Sequence, residues 1–398
     1  IKDCVKQSSI SELIRIFQKK NSKKQYAAIL VSAGPSLDHN IKDLLRAKGK
    51  IFTIAVDTAI RPLLQAGVVP DMFITVDPVK DLFLFEQAGV SEIPLVLSIE
   101  SRKGVSKIHT GRHFYILNTG DYMANIMMKC DKDIISTCNG GSVATDAFTL
   151  LRKMEFNTII LVGQDLAYPG NRSHAKAAYD DTVDLSDGIY FEVEDIHGGQ
   201  VLTRMDMNHY RRWFEDQIAE NSKLHVIDAT EGGALIHGSE IMTLKAAIER
   251  EQKENCDFST WIQSVPNIFT EEEQHNVLSE LQQLPQKVNE TKEKLEDGVK
   301  LFEKLQNLNK NREYRTKEFR DTYEKITEFN HWLEEDDVAD LLSSLSPKEE
   351  FEIQNKAYEV KDNLYDDLKD IAEHGSAMIK TYIEKIPLLL ECMKAMEE

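Results

Sequence analysis

Tyr26-Ala-Ala-Ile-Leu-Val-Ser-Ala-Gly-Pro-Ser-Leu-Asp38 is the stretch that decides the fold. Its apolar run, Ala27–Ser32, predicts a buried strand. Ala33-Gly34-Pro35-Ser36 stops that strand in a small-residue turn, and a helix is predicted over 39–47. A turn of this kind at the carboxyl end of a first strand lets backbone N–H groups approach a phosphate, and a helix N-terminus behind it adds the positive end of its dipole. Ser36 and Asp38 are also good N-cap types, so the same residues read equally as a capped helix start. The turn lacks the Gly-x-Gly-x-x-Gly spacing of dinucleotide-binding chains, which weakens an NAD reading.

Outward from this turn, short apolar runs alternate with helical periods as far as about residue 250. Strands are predicted at Ile51–Val56, Met72–Val76, Leu95–Ser98, His113–Leu117, Thr158–Val162 and Leu224–Asp228. Helices are predicted at 9–20, 58–66, 80–88, 121–129, 142–153 and 207–220. That alternation predicts an α/β fold with a doubly wound, mostly parallel sheet. Beyond about 255, strand-like runs vanish and Glu, Lys, Gln and Leu dominate. Leu281, Leu284, Val288, Leu295, Phe302 and Leu305 recur at helical spacing, while Thr291 and Gly298 interrupt the stripe. A bundle helix therefore fits better than a long parallel coiled coil. Further helices are predicted at 312–333 and 348–372, with Pro387 breaking or kinking a last one. The expected domains are an N-terminal helix (1–24), an α/β domain (25–254) and an all-α helical domain (255–398).

The 398 residues carry a net charge of −19, which argues against a nucleic-acid backbone as partner. Acidic runs such as Leu333-Glu-Glu-Asp-Asp337 read as solvated helical surface. No apolar run approaches the ~18 residues expected of a membrane span. Cys4, Cys130, Cys138, Cys256 and Cys392 are odd in number and scattered. They offer neither a disulfide framework nor a zinc site and point to a reducing, cytoplasmic setting. The start at Ile1, without an initiator Met or a secretory pattern, leads us to expect an upstream segment.

In open α/β sheets, ligands bind outside the carboxyl ends of the strands, near a topological switch point. The polar tips expected there are Ser32, Gly34, Pro35 and Ser36 after the first strand, Asp57 and Thr58 after the second, and Asp77 after the third. Gly163, Gln164, Asp165 and Tyr168 follow the strand ending at Val162. Asn139-Gly140-Gly141-Ser142 is a second glycine turn entering a helix. Together these turns predict one shared nucleotide cleft. Asp57, 23 residues beyond Gly34, suits a ribose hydroxyl or a helix N-cap. The P-loop pattern and the Gly-x-Ser-x-Gly elbow are absent from the sequence, which sets aside those two machineries. Asp131-Lys-Asp133 matches a metal-diphosphate Asp-x-Asp but precedes a predicted strand, so no metal site is assigned. A base with a pKa near neutrality would be His174, in a long polar loop over 164–213, or His209, at a predicted helix start. Tyr179, Asn208 and Tyr210 also lie in that stretch.

These residues resemble the motility-associated factor (Maf) flagellin glycosyltransferases, within the 6-hydroxymethylpterin pyrophosphokinase MptE-like family. The resemblance rests on Val31-Ser-Ala-Gly-Pro-Ser-Leu-Asp38, Val56-Asp-Thr-Ala59, Leu64-Gln-Ala-Gly-Val-Val-Pro-Asp71 and Val76-Asp-Pro78. Gly140-Gly-Ser-Val-Ala-Thr145, Leu161-Val-Gly-Gln-Asp-Leu-Ala-Tyr168 and Asp228-Ala-Thr-Glu-Gly-Gly-Ala234 complete it. It implies transfer of a pseudaminic, legionaminic or sialic acid from a CMP-sugar onto Ser or Thr of flagellin. Inversion at the anomeric centre without a required metal, on a GT-A or sialyltransferase-like Rossmann fold, is implied as well. Ser32, Gly34, Pro35, Ser36, Thr58, Asn139, Gly140, Gly141, Ser142, Gly163, Gln164 and Asp165 would frame the CMP, with Asp57 and Asp77 near ribose or base. Tyr168 would steady the leaving phosphate, His209 or His174 would be the base, and the helical domain would dock flagellin or its chaperone complex. No tightly bound cofactor is expected. The alternatives are a pterin pyrophosphokinase using ATP and Mg²⁺, and a non-catalytic nucleotide-binding adaptor.

Overall fold

The computed structural model describes residues 3–117, 122–137, 140–179, 182–186, 188–357 and 363–394. Ten strands form among them: β1 (Ala28–Val31), β2 (Phe52–Val56), β3 (Met72–Thr75), β4 (Leu95–Ser98), β5 (His113–Ile116), β6 (Thr158–Val162), β7 (Tyr190–Glu194), β8 (Gln200–Arg204), β9 (His225–Asp228) and β10 (Glu240–Ile241). Eight of them make one sheet in the order β10-β9-β6-β1-β2-β3-β4-β5, and the seven pairings are all parallel. β1 through β5 are buried along their whole length. That is why they read as continuous apolar runs rather than alternating ones. The doubly wound parallel sheet expected from the sequence is the one observed.

Helices α1 (Ile10–Lys24), α2 (Leu37–Asn40), α3 (Asp57–Gln65), α4 (Val105–Ile108), α5 (Tyr122–Met127), α6 (Val143–Lys153), α7 (Met205–Glu220), α8 (Leu244–Glu251) and α9 (Phe258–Gln263) accompany these strands in the chain. Two expected helices are much reduced. Residues 39–47 give the single turn α2 followed by 3-10 backbone over Ile41–Arg46, and 80–88 give only a 3-10 turn at Leu82–Phe85. In the latter, four large apolar residues are consecutive, so no 3.6-residue face exists to extend a helix. The loop expected over 164–213 contains the antiparallel hairpin β7–β8. Its tip is fixed by the Asp195 carboxylate, which accepts from the N–H groups of His197 at 2.7 Å and Gly199 at 2.9 Å.

Two compact units result. The first joins Asp3–Thr119 with Asp131–Glu273; the second joins Gly120–Cys130 with Gln274–Glu398. The first unit therefore holds both α1 and α9, and its end lies 19 residues beyond the expected boundary at 254. The physical reason is an aromatic cluster. Phe17 of α1 meets Phe52 and Trp261 edge-on at 5.0 and 5.2 Å, and Phe52 stacks on Phe156 at 5.3 Å.

The second unit contains α10 (Glu271–Lys310, from Gln274 onward), α11 (Lys317–Glu335), α12 (Asp337–Ser344), α13 (Pro347–Ala357) and α14 (Leu364–Lys394). Thr291 and Gly298 do not interrupt its apolar stripe. Both are buried, and a Cβ on Gly298 would lie 2.4 Å from the Phe329 ring, so the glycine seats α11. Thr291 Oγ1 donates to Asp336 Oδ1 at 3.0 Å, beside the cap of α12. Pro387 does not end the last helix, which continues to Lys394.

Candidate active site

β1 and β6 are neighbours at the point where the strand order reverses. The chain runs outward to β2 through β5 on one side, and β6, β9 and β10 extend the other. At this switch point the two strand ends are stitched together. Gly34 N–H donates to Gly163 O at 2.8 Å. Gly163 has φ +65, and a Cβ there would lie 2.3 Å from Ser32 O. A Cβ on Gly34 would lie 2.0 Å from Asp165 Oδ2. The buried Asp165 carboxylate accepts from Ser36 Oγ at 2.7 Å and Ser36 N–H at 3.3 Å. Leu166 follows at φ +50, its carbonyl accepting from Thr203 Oγ1 of β8 at 2.8 Å. The 228–234 loop closes behind, with Ala234 N–H donating to Asp165 O at 2.8 Å.

This geometry changes the reading of the first turn. Its Gly34 and Ser36 N–H groups already have partners in Gly163 O and Asp165, and α2 is a single turn with little dipole to offer. The turn is a structural staple. Open donors lie instead at the second glycine turn. There Ser142 caps the eleven-residue α6 through a reciprocal bond with Thr145. The next two N–H groups, of Val143 and Ala144, have no acceptor among the described residues, as the first turn of a helix requires.

A cleft of about 530 Å³ opens at these strand ends. It is lined by Ser32, Gly34, Asp57, Thr58, Asp77, Gly141, Ser142, Gly163, Gln164, Asp165 and His174, so most of the expected residues do meet. Asp57 starts α3 and is fully buried, accepting from Thr75 Oγ1 and Thr58 N–H at 2.7 Å each. Lys80 Nζ sits 3.4 Å from Asp57 Oδ1 and 3.5 Å from Asp77 Oδ2. Burial raises the Asp57 pKa, with Lys80 the main opposing influence. Burial likewise pushes Asp146 and Asp165 up to about 7. For Asp165 the two Ser36 hydrogen bonds pull downward and the charge of Asp228 adds to the rise. Near neutrality the cleft therefore carries less negative charge than four carboxylates would imply.

Several expected residues stand elsewhere. Pro35 and Ser36 line a neighbouring cavity on the other side of Asp165. Gly140 is packed on Thr145, which would lie 2.5 Å from a Cβ, and Asn139 lies outside the described residues. Tyr168 is buried away from the cleft, its ring edge-on to Tyr190 at 5.4 Å. His209 is exposed on α7 and does not reach the lining. His174 does reach it, with Nδ1 2.8 Å from Ser173 Oγ, and its loop is laid on the first turn by Ala175 N–H donating to Ala33 O at 2.8 Å. The sequence reading missed Lys80, Asp146 and Met207 and did not choose Tyr210, all of which line the cleft. Lys80 carried a usable signal, since it follows Asp77-Pro78 at a strand end. Met207 and Tyr210 carried the spacing of one helical face.

Fold and cleft define a doubly wound α/β chain with a candidate ligand cleft at the β1–β6 switch point. The model of the 6-hydroxymethylpterin diphosphokinase MptE-like family matches residues 1–171. A Maf glycosyltransferase from Magnetospirillum magneticum AMB-1 has a similar fold, with a TM-score of 0.56 at 14% identity. The match covers 96% of this chain and 61% of that one, so this chain spans about three fifths of its length. No curated protein matches. The family model covers less than half of this chain, and the structural likeness at 14% identity shows a shared fold.

Proposed function

We propose that the protein is a glycosyltransferase that moves a nonulosonic acid from a CMP-sugar onto Ser or Thr of flagellin. The observation that carries this reading is the switch-point cleft, which joins one lysine, two open helix N–H donors and a histidine. A CMP-sugar presents a single phosphate, and Lys80 supplies one positive charge for it. The open N–H groups of Val143 and Ala144 hold an oxygen of the donor. His174 is the base that takes the acceptor hydroxyl proton, and Tyr210 replaces Tyr168 at the leaving phosphate. On this reading transfer inverts the anomeric centre and needs neither metal nor bound cofactor. The helical unit docks flagellin, alone or with its chaperone, in the cytoplasm. Among the described residues no helix is long and apolar enough to cross a membrane.

The description of the matching family favours a second reading, a pterin pyrophosphokinase using ATP and Mg²⁺. A thermal-shift series separates the two. A ligand at 100 times its dissociation constant should stabilise by roughly 2.7 kcal/mol. Stabilisation by CMP that survives EDTA supports the transferase. Stabilisation by ATP–Mg²⁺ alone sinks it. If CMP binds and no glycan transfer is detected, the protein is an adaptor; if transfer survives in His174 variants, the assignment of the base is wrong.

A further inference from the structure

His174 lines the cleft with Nδ1 2.8 Å from Ser173 Oγ. A bond of that kind fixes one nitrogen and leaves the ring plane to be set by packing. Tyr179 supplies the packing. Its ring lies 5.1 Å from the imidazole, tilted by 60°. Ala178 N–H donates to Ala175 O at 2.9 Å and Tyr179 N–H to the same carbonyl at 3.3 Å, and this turn brings the two rings together. Tyr179 is held in its turn from the segment that follows β3. Its Oη donates to Asp81 Oδ2 at 3.0 Å, and its ring meets Phe83 edge-on at 5.9 Å. Phe83 carries the Arg61 guanidinium of α3 at 5.7 Å. Burial first, and then the Asp81 bond, raise the Tyr179 pKa, so the phenol keeps the proton it donates. Asp81, Phe83 and Tyr179 stand outside the cleft lining, whereas His174 and Lys80, the residue before Asp81, belong to it. These three can act on a reaction only through residues that touch the cleft.

Resting on the transferase reading, we propose that Tyr179 is the positioning residue of the His174 base, its ring restraining the imidazole and Asp81 restraining the ring. In transfer the acceptor oxygen bonds to the anomeric carbon and gives its proton to His174. The bond from that carbon to the phosphate oxygen of CMP breaks, and the phosphate leaves with the electron pair. Tyr179 takes no part in these bonds. A proton acceptor must stand within about 3.2 Å of the hydroxyl it serves, so an imidazole free to turn spends less of its time in place. An aromatic contact of this kind is worth roughly two- to tenfold in such a population. The Asp81 bond faces solvent, so the ring contact carries the larger share.

The test is the kinetics of glycan transfer by the full chain, with calorimetric titration of CMP and NMR of protonated His and Tyr rings. Tyr179→Leu should lower kcat roughly two- to tenfold, with CMP affinity within about twofold of wild type. Tyr179→Phe, which keeps the ring, should lose less. In a His174→Asn background Tyr179→Leu should change kcat no further, because the two residues act as one unit. The His174 ring resonances, assigned by their absence in His174→Asn, should shift in Tyr179→Leu and hold in Tyr179→Phe. Wild-type kcat in Tyr179→Leu overturns the proposal, as does an equal further loss in the His174→Asn background. Absence of a nuclear Overhauser effect between the His174 and Tyr179 rings of the wild type overturns it even if Tyr179→Leu does not fold. No glycan transfer by the wild type overturns the transferase reading and this proposal together, whereas transfer indifferent to Tyr179 overturns this proposal alone.

Discussion

Ser36 Oγ donates to Asp165 Oδ2 at 2.7 Å, and this bond ties the turn after β1 to the strand end after β6. Ser36 N–H reaches the same carboxylate, so one buried side chain fixes both halves of the switch point. Asp165→Ala leaves the Ser36 donors unsatisfied. Hydrogen bonds to a charged group are worth about 1.5–3 kcal/mol, so the variant should lose about 2–3 kcal/mol in urea unfolding. Asp165→Asn, which keeps one acceptor, should lose about half of that. An Ala variant as stable as wild type would show that the staple carries no weight.

Glycine at 163 answers two constraints that a control separates. Gly67 also has positive φ, at +75, but a Cβ there meets nothing within 4 Å. Gly67→Ala should therefore cost only the left-handed penalty of about 1–2 kcal/mol. Gly163→Ala adds a clash with the Ser32 carbonyl, which is backbone and cannot swing aside. Its unfolding free energy should fall clearly further than that of Gly67→Ala. Equal losses would mean that the β1 and β6 ends are loosely joined.

Buried acids set a direction for stability against pH. Burial raises Asp146 and Asp165 to about 7 and Asp228 to about 6, well above the ordinary carboxyl range. The folded state thus holds more protons than the unfolded chain between the ordinary and the raised values. The stabilisation these groups give is fully present below the unfolded value and is lost as pH rises through the folded one. His109 and His113 act oppositely, because burial lowers both, His113 to about 4, and their effect ends near 6.5. From about pH 6.5 to 7.5 the acids act alone, so the melting temperature should fall across that window. Scanning calorimetry in matched buffers checks this, and Asp146→Leu should flatten the slope. A rising melting temperature there would refute the assignment.

Most of the sheet was legible because β1 through β5 are short apolar runs buried along their length, and Ala28–Val31 could hardly be anything else; β10, exposed at both residues, carried no such signal. Most cleft residues were legible for a related reason, since strand ends in such a sheet point to one edge. Which turn keeps open N–H groups was not. Gly34-Pro35-Ser36 and Gly140-Gly141-Ser142 look alike as sequence, and only the approach of Gly163 O and Asp165, about 130 residues away, closes the first. His174 and His209 could not be ranked for the same reason. The β7–β8 hairpin was legible in principle, since Gly198-Gly199 stands between two runs with alternating character, but the polar composition of 164–213 masked it.

The two histidines now separate. His174 lines the cleft and His209 stands exposed outside it. General-base catalysis contributes about 10²–10⁴-fold, so His174→Asn should lower kcat of glycan transfer by at least ~100-fold with little change in CMP binding. His209→Asn should stay within about twofold of wild type. Tyr210→Phe should slow transfer and Tyr168→Phe should not. The opposite ranking of the histidines would place the acceptor on the outer face of α7.

Lys80 ties charge to ligand and stability together. It is 16% exposed and lies between Asp57, which is 1% exposed, and Asp77. Lys80→Met leaves Asp57 with only Thr58 and Thr75 as partners, so its pKa, already raised by burial, climbs further. Above that value the variant must bury an unpaired charge, which typically costs about 3–5 kcal/mol; below it a proton takes the place of the lysine. Its loss of stability should therefore be larger at a high pH than at a low one, where Asp57 is protonated. Lys80→Arg should restore most of the stability at both. CMP affinity should fall at least about tenfold in Lys80→Met at either pH, because the phosphate loses its charge-assisted partner. Urea midpoints at the two pH values, with CMP titrations beside them, distinguish the outcomes. A loss of stability independent of pH would show that Lys80 acts by packing, and an unchanged CMP affinity would move the phosphate elsewhere in the cleft.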